Sequence, residues 1–302
     1  MFRPCSGGNQ RFIFEERRCR SDGADDEVYL LLLPLICLDH SPIRDKMQAR
    51  SRAVKALDHA MSGHAGTEAS KVFVEALGLK YLFNAFMGKV CLSSSRSQIY
   101  FSEVMQPLKK QKSVIQPTAP EDTTHTLGIL SSLFTNLPSD SPARIRLLAK
   151  FVENNYEKAD KLLDIRTSAQ ARLTATNREI DAEKGARLEE GEEIGDEEDA
   201  WYLRRLDGGF YTLQTVDYIL AWIVMEDDGV GAIQLLTCVL LIVPQIRDHV
   251  RQMLNRRNKS YLDVVTTLRS FRDNIDEGES NNSDGISQRE ILHNLIAFLE
   301  SY

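Results

Sequence analysis

The chain is poor in the residues that build covalent or metal frameworks. Its 302 residues include only five Cys, two Trp and nine Pro. Cys5, Cys19, Cys37, Cys91 and Cys238 are odd in number and widely spaced, and no CxxC occurs. That pattern argues against a disulfide scaffold or a thiolate zinc site and fits free thiols in a reducing compartment. Long apolar runs are lacking too. Residues 28–38 and 230–243 are apolar but fall short of the roughly 20 residues that a spanning helix needs, and the first contains Pro34. Both are expected to be buried core, with no membrane association. The first 27 residues are rich in Arg, Asp and Glu, and no small-residue cleavage site follows 28–38, so no signal peptide is expected. The chain reads as soluble and intracellular.

Motifs of catalysis are missing as well. There is no GxSxG, no Walker A loop, no GxGxxG after a strand and no HExxH. Of the six His, only His59 and His64 are close, five apart with Gly63 between them, whereas a helical metal pair sits three or four apart. No catalytic residue, cofactor or metal is therefore assigned. A helical enzyme would need a pocket of ionisable groups that spacing does not reveal. Lys and Arg number 37 against 44 Asp and Glu. That balance argues against direct nucleic-acid binding, which needs clustered cations. The small cluster Lys109, Lys110 and Lys112 reads as part of a solvated loop at 92–122.

What the chain does have is one concentrated charge. Residues 189–199 (EEGEEIGDEED) hold eight carboxylates: Glu189, Glu190, Glu192, Glu193, Asp196, Glu197, Glu198 and Asp199. Without them the balance is 37 basic against 36 acidic residues, so the net charge of −7 is a local cluster on a near-neutral body. The segment lacks the alternate ligands of a calcium loop. It reads either as a solvated turn whose acids cap the next helix or as a platform for Lys/Arg-rich peptides.

The rest of the sequence is helical in period. Residues 1–42 are set apart as a poorly ordered or foreign segment. In 43–138, Val54, Leu57, Ala60 and Met61 share one face, and Thr67 is the expected cap of a second helix bearing Val72, Phe73, Ala76 and Leu77. Gly78 is the expected stop, and a third short helix carries Leu79, Leu82, Phe83, Phe86 and Met87. Three short helices in about 40 residues is the size of one armadillo or HEAT unit. After the loop, Thr123 or Thr124 should cap a helix with Leu127, Leu130, Leu133, Phe134 and Leu137 inward.

Residues 139–302 open on Ser141-Pro142, a strong helix start. From 166 to 190 the helix is polar, with Leu173 and Ile180 seven apart, which suits a narrow seam against one partner helix. The expected result is a hairpin: 142–190 out, the acidic turn, and 197–223 back. Gly208 and Gly209 inside the return helix should permit close packing or a kink. Later helices carry Ile246, Val250, Met253 and Leu254; then Leu262, Val265, Leu268 and Phe271; then Ile291, Leu292, Leu295, Phe298 and Leu299. No alternating strand pattern appears. The expected fold is all-α, an armadillo/HEAT-like superhelix ending in long antiparallel helices.

Six segments carry a family resemblance. They are RSRAVKALDHAM (50–61), LGLKYLFNAFM (77–87), ILSSLFTNL (129–137), RLLAKFVENNYEKADKL (146–162), YLRRLDGGFYTLQTVDYILAWI (202–223) and PQIRDHVRQMLNRRN (244–258). In this order they resemble the later repeats of the beta-catenin-like protein 1 family. The resemblance implies a nuclear armadillo-like scaffold associated with the spliceosome. Its implied partners are splicing-complex proteins with Lys/Arg-rich segments, and it brings no enzyme activity, metal or cofactor. Residues 1–42, 90–104 and 229–243 have no good family counterpart, and the family's earlier repeats do not precede residue 43. An imperfect gene model, with translated non-coding sequence at those points, would account for this. A transport adaptor of the importin type is the alternative. It reads cargo with Trp and Asn ladders, whereas only Trp201 and Trp222 occur here.

Overall fold

The computed structural model describes residues 43–88, 119–190, 198–227, 246–275 and 287–302. The expectations for 1–42, for the basic cluster near 110, for the apolar run 230–243 and for the loop at 278–285 lie outside these residues.

Among the described residues every regular element is helical. In chain order they are α1 (Ile43–Met61), α2 (Thr67–Glu75), α3 (Gly78–Phe86), α4 (Ala119–Asn136), α5 (Pro142–Glu189), α6 (Glu198–Arg205), α7 (Tyr211–Met225), α8 (Ile246–Arg256), α9 (Tyr261–Asp273) and α10 (Gln288–Glu300). A 3-10 turn (His64–Gly66) precedes α2, and a π segment (Leu206–Phe210) joins α6 to α7. The arrangement is an all-α, armadillo-like superhelix that ends in a long antiparallel hairpin.

The apolar periodicity explains the packing. Val54, Leu57 and Met61 are buried on α1, which lies against α4, where Leu127, Leu130, Leu133 and Phe134 are buried in turn, with Leu137 just beyond its end. One continuous core runs from Ala53 to Leu299. Its centre is α7, buried on all sides from Leu213 to Leu220 and packed against α4, α5, α8, α9 and α10. A helix with apolar residues on every face must be enclosed by others, and the polar Gln214, Thr215 and Asp217 of α7 are buried with them.

Several local signals act differently from their sequence reading. Gly66, not Thr67, caps α2. The left-handed residue after α2 is Leu77, at φ 62°, although that conformation costs an L-residue about 1–2 kcal/mol. Gly78 instead opens α3, where an added Cβ would lie 2.5 Å from the Phe73 ring. The glycine serves packing rather than the turn. Helix α4 begins at Ala119, inside the stretch read as a loop, so Thr123 and Thr124 are interior; Glu121 and Asp122 occupy its first turn and complement the helix dipole. On α9 the buried stripe is Tyr261, Val264, Val265 and Leu268, while Leu262 is exposed.

The start of α5 is as expected. The Ser141 side chain accepts a hydrogen bond from the Arg144 backbone N–H at 3.1 Å, with Pro142 in the first position. The helix is not continuous, however. Glu153 is extended, and Asn154, Asn155 and Tyr156 have φ of 55°, 55° and 64°. Asn tolerates this region through its short polar side chain. Tyr156 is held there by burial and by stacking on His249, with ring centroids 4.6 Å apart. The hairpin therefore starts after this break.

Candidate functional site

The hairpin arm is built from the second part of α5 and from α6. Ala169, Leu173 and Leu213 form a small apolar cluster with Phe210 packed on it, separate from the main core. Ile180 and Trp201 are buried further out. The narrow seam expected from Leu173 and Ile180 is thus present. Close approach is set by the glycine pair. A Cβ on Gly208 would collide with the Thr176 side chain, and one on Gly209 would lie 2.9 Å from the Ala169 carbonyl oxygen. Gly209 also has φ 113°, which a residue with a side chain rarely adopts.

Charge then zips the seam. The Arg204 guanidinium donates to Glu183 at 2.7 Å and to Glu179 at 3.2 Å. Those two hydrogen bonds, Glu183 first, raise the guanidinium above its ordinary value. Arg205 donates to the Asn177 side-chain oxygen at 3.1 Å. The Lys184 ammonium lies 3.9 Å from the centroid of the Trp201 ring and 3.3 Å from Glu198. The pairs 179–204, 184–198 and 177–205 confirm the antiparallel register.

The acidic residues divide accordingly. Glu189, Glu190 and Asp199 are exposed, and among the described residues no ion pair engages them. Glu198 is exposed too but is engaged by Lys184 and, at 3.9 Å, by Arg205, so it belongs to the seam. Glu192, Glu193, Asp196 and Glu197 lie outside the described residues. Of the eight, the structure places Glu189 and Glu190 at the end of α5 and Glu198 and Asp199 at the start of α6, where Glu198 lies opposite Lys184 rather than beside Glu189.

Sequence reasoning did not single out the buried charges of the body. Arg144 is fully buried. Its guanidinium binds Glu226 at 2.7 and 2.9 Å, donates to the Leu133 and Phe134 carbonyls, and lies 4.5 Å from the ring centroids of Phe134 and Trp222. Arg166 binds Asp217 at 2.6 Å, both inaccessible. Burial pushes the Asp217 carboxyl up, against the opposing pull of Arg166. The Asp227 carboxylate accepts the backbone N–H groups of Ile246 and Arg247 at 3.2 and 3.3 Å and so caps α8. The Tyr261 hydroxyl donates to the Arg247 carbonyl at 2.7 Å, and burial raises its phenol to about 12. Asp217 is the one charged residue inside α7, a helix buried along most of its length, and that was the available signal for it.

These groups join helix to helix. Two His–Asp contacts do the same: His125 to Asp58 at 2.8 Å across α4 and α1, and His249 to Asp160 at 2.7 Å across α8 and α5. Neither Trp is displayed outward as a cargo ladder requires: Trp201 is covered by Lys184, and Trp222 stacks on Phe134 and Arg144. Among the described residues no group of three His, Cys, Asp or Glu could hold a metal. No helix there is long and apolar enough to cross a membrane.

Comparison with known proteins gives a consistent picture. A family described as catenin-beta-like, Arm-motif containing and nuclear matches residues 38–269. Beta-catenin-like protein 1 of Mus musculus is 34% identical over 261 residues, covering 86% of this chain and 39% of the mouse protein. The Homo sapiens protein is 34% identical over 251 residues, covering 83% and 38%. The Schizosaccharomyces pombe homologue is 29% identical over 185 residues, covering 61% and 27%. This chain spans about two fifths of the length of the animal relatives it matches.

Proposed function

The chain belongs to the catenin-beta-like, Arm-motif family, and from that membership we propose that it is a non-enzymatic nuclear scaffold of the pre-mRNA splicing machinery. It captures Lys/Arg-rich segments of splicing-complex proteins. The carboxylates of 189–199 attract the cationic segment, and neighbouring helix surface holds it. The observation that carries this reading is the separation of charge along the arm. Glu179, Glu183 and Glu198 are engaged by Arg204, Lys184 and Arg205, whereas Glu189, Glu190 and Asp199 face solvent. Exposed leucines flank them, Leu188 on α5 and Leu203 on α6. Long-range attraction from such a tip raises the encounter rate and is screened by salt.

The test is titration of basic peptides into this chain and into a variant with Glu189, Glu190, Glu192 and Glu193 changed to Gln. Wild type should bind more tightly at low salt, with affinity falling as salt rises. Equal and salt-independent binding by both would refute the acidic-platform mechanism. Affinity purification from nuclear extract then tests the role: splicing factors in the eluate support it, and transport receptors without them refute it.

A further inference from the structure

At the far end of the chain, α9 and α10 enclose a cleft of about 410 Å³. Arg269 and Arg272, one turn apart on α9, form one wall. His293, Ala297 and Glu300 follow one face of α10 and form the other, with buried Ile296 at the base. Two guanidiniums and an imidazole thus line a groove kept open by the small side chain of Ala297. The acids near it are Glu300, which accepts from Arg269 at 2.5 Å, and Asp273, which accepts from Arg272 at 2.8 and 3.0 Å.

We propose that this cleft is a docking site for a phosphorylated serine or threonine in a partner peptide, with Arg269 and Arg272 holding the phosphate and Glu300 standing in its place when the cleft is empty. A phosphate monoester carries nearly two charges and three acceptor oxygens, and guanidiniums bind such groups bidentately. The Arg269–Glu300 pair is 55% and 37% exposed, and an ion pair so open to water is weakly held. A dianion displaces a single carboxylate from it. Two guanidiniums beside two acids are too few to follow a nucleic-acid backbone. This site is independent of the acidic arm: it lies on different helices, and its two guanidiniums are balanced by Glu300 and Asp273.

The test is fluorescence polarisation with a labelled degenerate peptide pool bearing a fixed central phosphoserine, against the same pool with serine. The phosphoserine pool should bind about tenfold more tightly. Arg269→Gln with Arg272→Gln should remove that difference. Glu300→Gln should tighten phosphopeptide binding by about twofold to fivefold, because the internal competitor is gone. Ala297→Leu, at an exposed position, should weaken binding by filling the groove with all charges intact. Thermal melting of each variant separates loss of the site from loss of the fold. Equal binding of both pools, no binding of either, or tighter binding of a single-stranded RNA oligonucleotide would overturn the proposal.

Discussion

The body and the arm of this molecule are held together by different means. In the body, α1 to α4, the first part of α5 and α7 to α10 bury one continuous apolar core, and its few charges are sealed inside, as with Arg144 and the Arg166–Asp217 pair. In the arm the apolar seam shrinks to Ala169, Leu173, Leu213, Ile180 and Trp201, and ionic contacts at partly exposed positions take over the register. Apolar burial contributes about 25 cal/mol per Å², so the body's stability scales with its area. Surface pairs each contribute about 0–1 kcal/mol. The arm is consequently the element whose sequence is freest to carry charge: Glu189, Glu190 and Asp199 near its tip are exposed, and among the described residues no ion pair engages them.

The contrast can be broken most severely at the buried pair. Arg166→Met leaves the Asp217 carboxylate enclosed without its partner and should cost about 3–5 kcal/mol in urea unfolding. The double variant with Asp217→Leu should recover much of the loss; a single-variant cost below about 1 kcal/mol would show that water reaches Asp217. Next in size is Gly209→Ala, which combines a positive φ with a collision against the Ala169 carbonyl. It should cost about 1–3 kcal/mol. The effect should appear as faster amide exchange in α6, with α10 unchanged.

A smaller effect follows from the break in α5. Burial alone would raise the Glu153 carboxyl, but hydrogen bonds from Lys150 at 2.7 Å and Lys158 at 3.2 Å outweigh it and hold the group below its ordinary 4.5. A depressed carboxyl stabilises the fold above its unfolded value and loses that contribution as pH falls through the folded one. Stability of the wild type should therefore drop on acidification below 4.5, and Glu153→Gln should flatten that limb. The smallest effect belongs to the tip. Neutralising Glu189, Glu190, Glu192 and Glu193 should change the unfolding free energy by no more than about 0.5 kcal/mol. A larger destabilisation would mean that the tip acids are structural.

Much of this was legible in the residues because helical period is a local property. The faces of α1, α4 and α10, the Ser141-Pro142 start, the narrow seam at Leu173 and Ile180, and the kink at Gly208-Gly209 all follow from spacing and from backbone chemistry. The failures share one cause. Gly78 suits a left-handed turn by its chemistry, yet the ring of Phe73 claims it for packing and Leu77 takes the turn. The break at Asn154–Tyr156 carries no proline or glycine and depends on a stacking partner, His249, far along the chain. Leu262 satisfied the apolar pattern but lost its place in the core to Tyr261, whose hydroxyl finds the Arg247 carbonyl.

By itself the sequence determined the class of fold, the antiparallel arm and the confinement of net charge to eleven residues, since each depends on neighbours within a few turns. Tertiary structure alone decided which of those charges are available. Whether a carboxylate meets a cation depends on the register of two helices. That register is set by the approach that Gly208 and Gly209 allow, so Glu198 is drawn into the seam while Glu189, Glu190 and Asp199 are left to solvent.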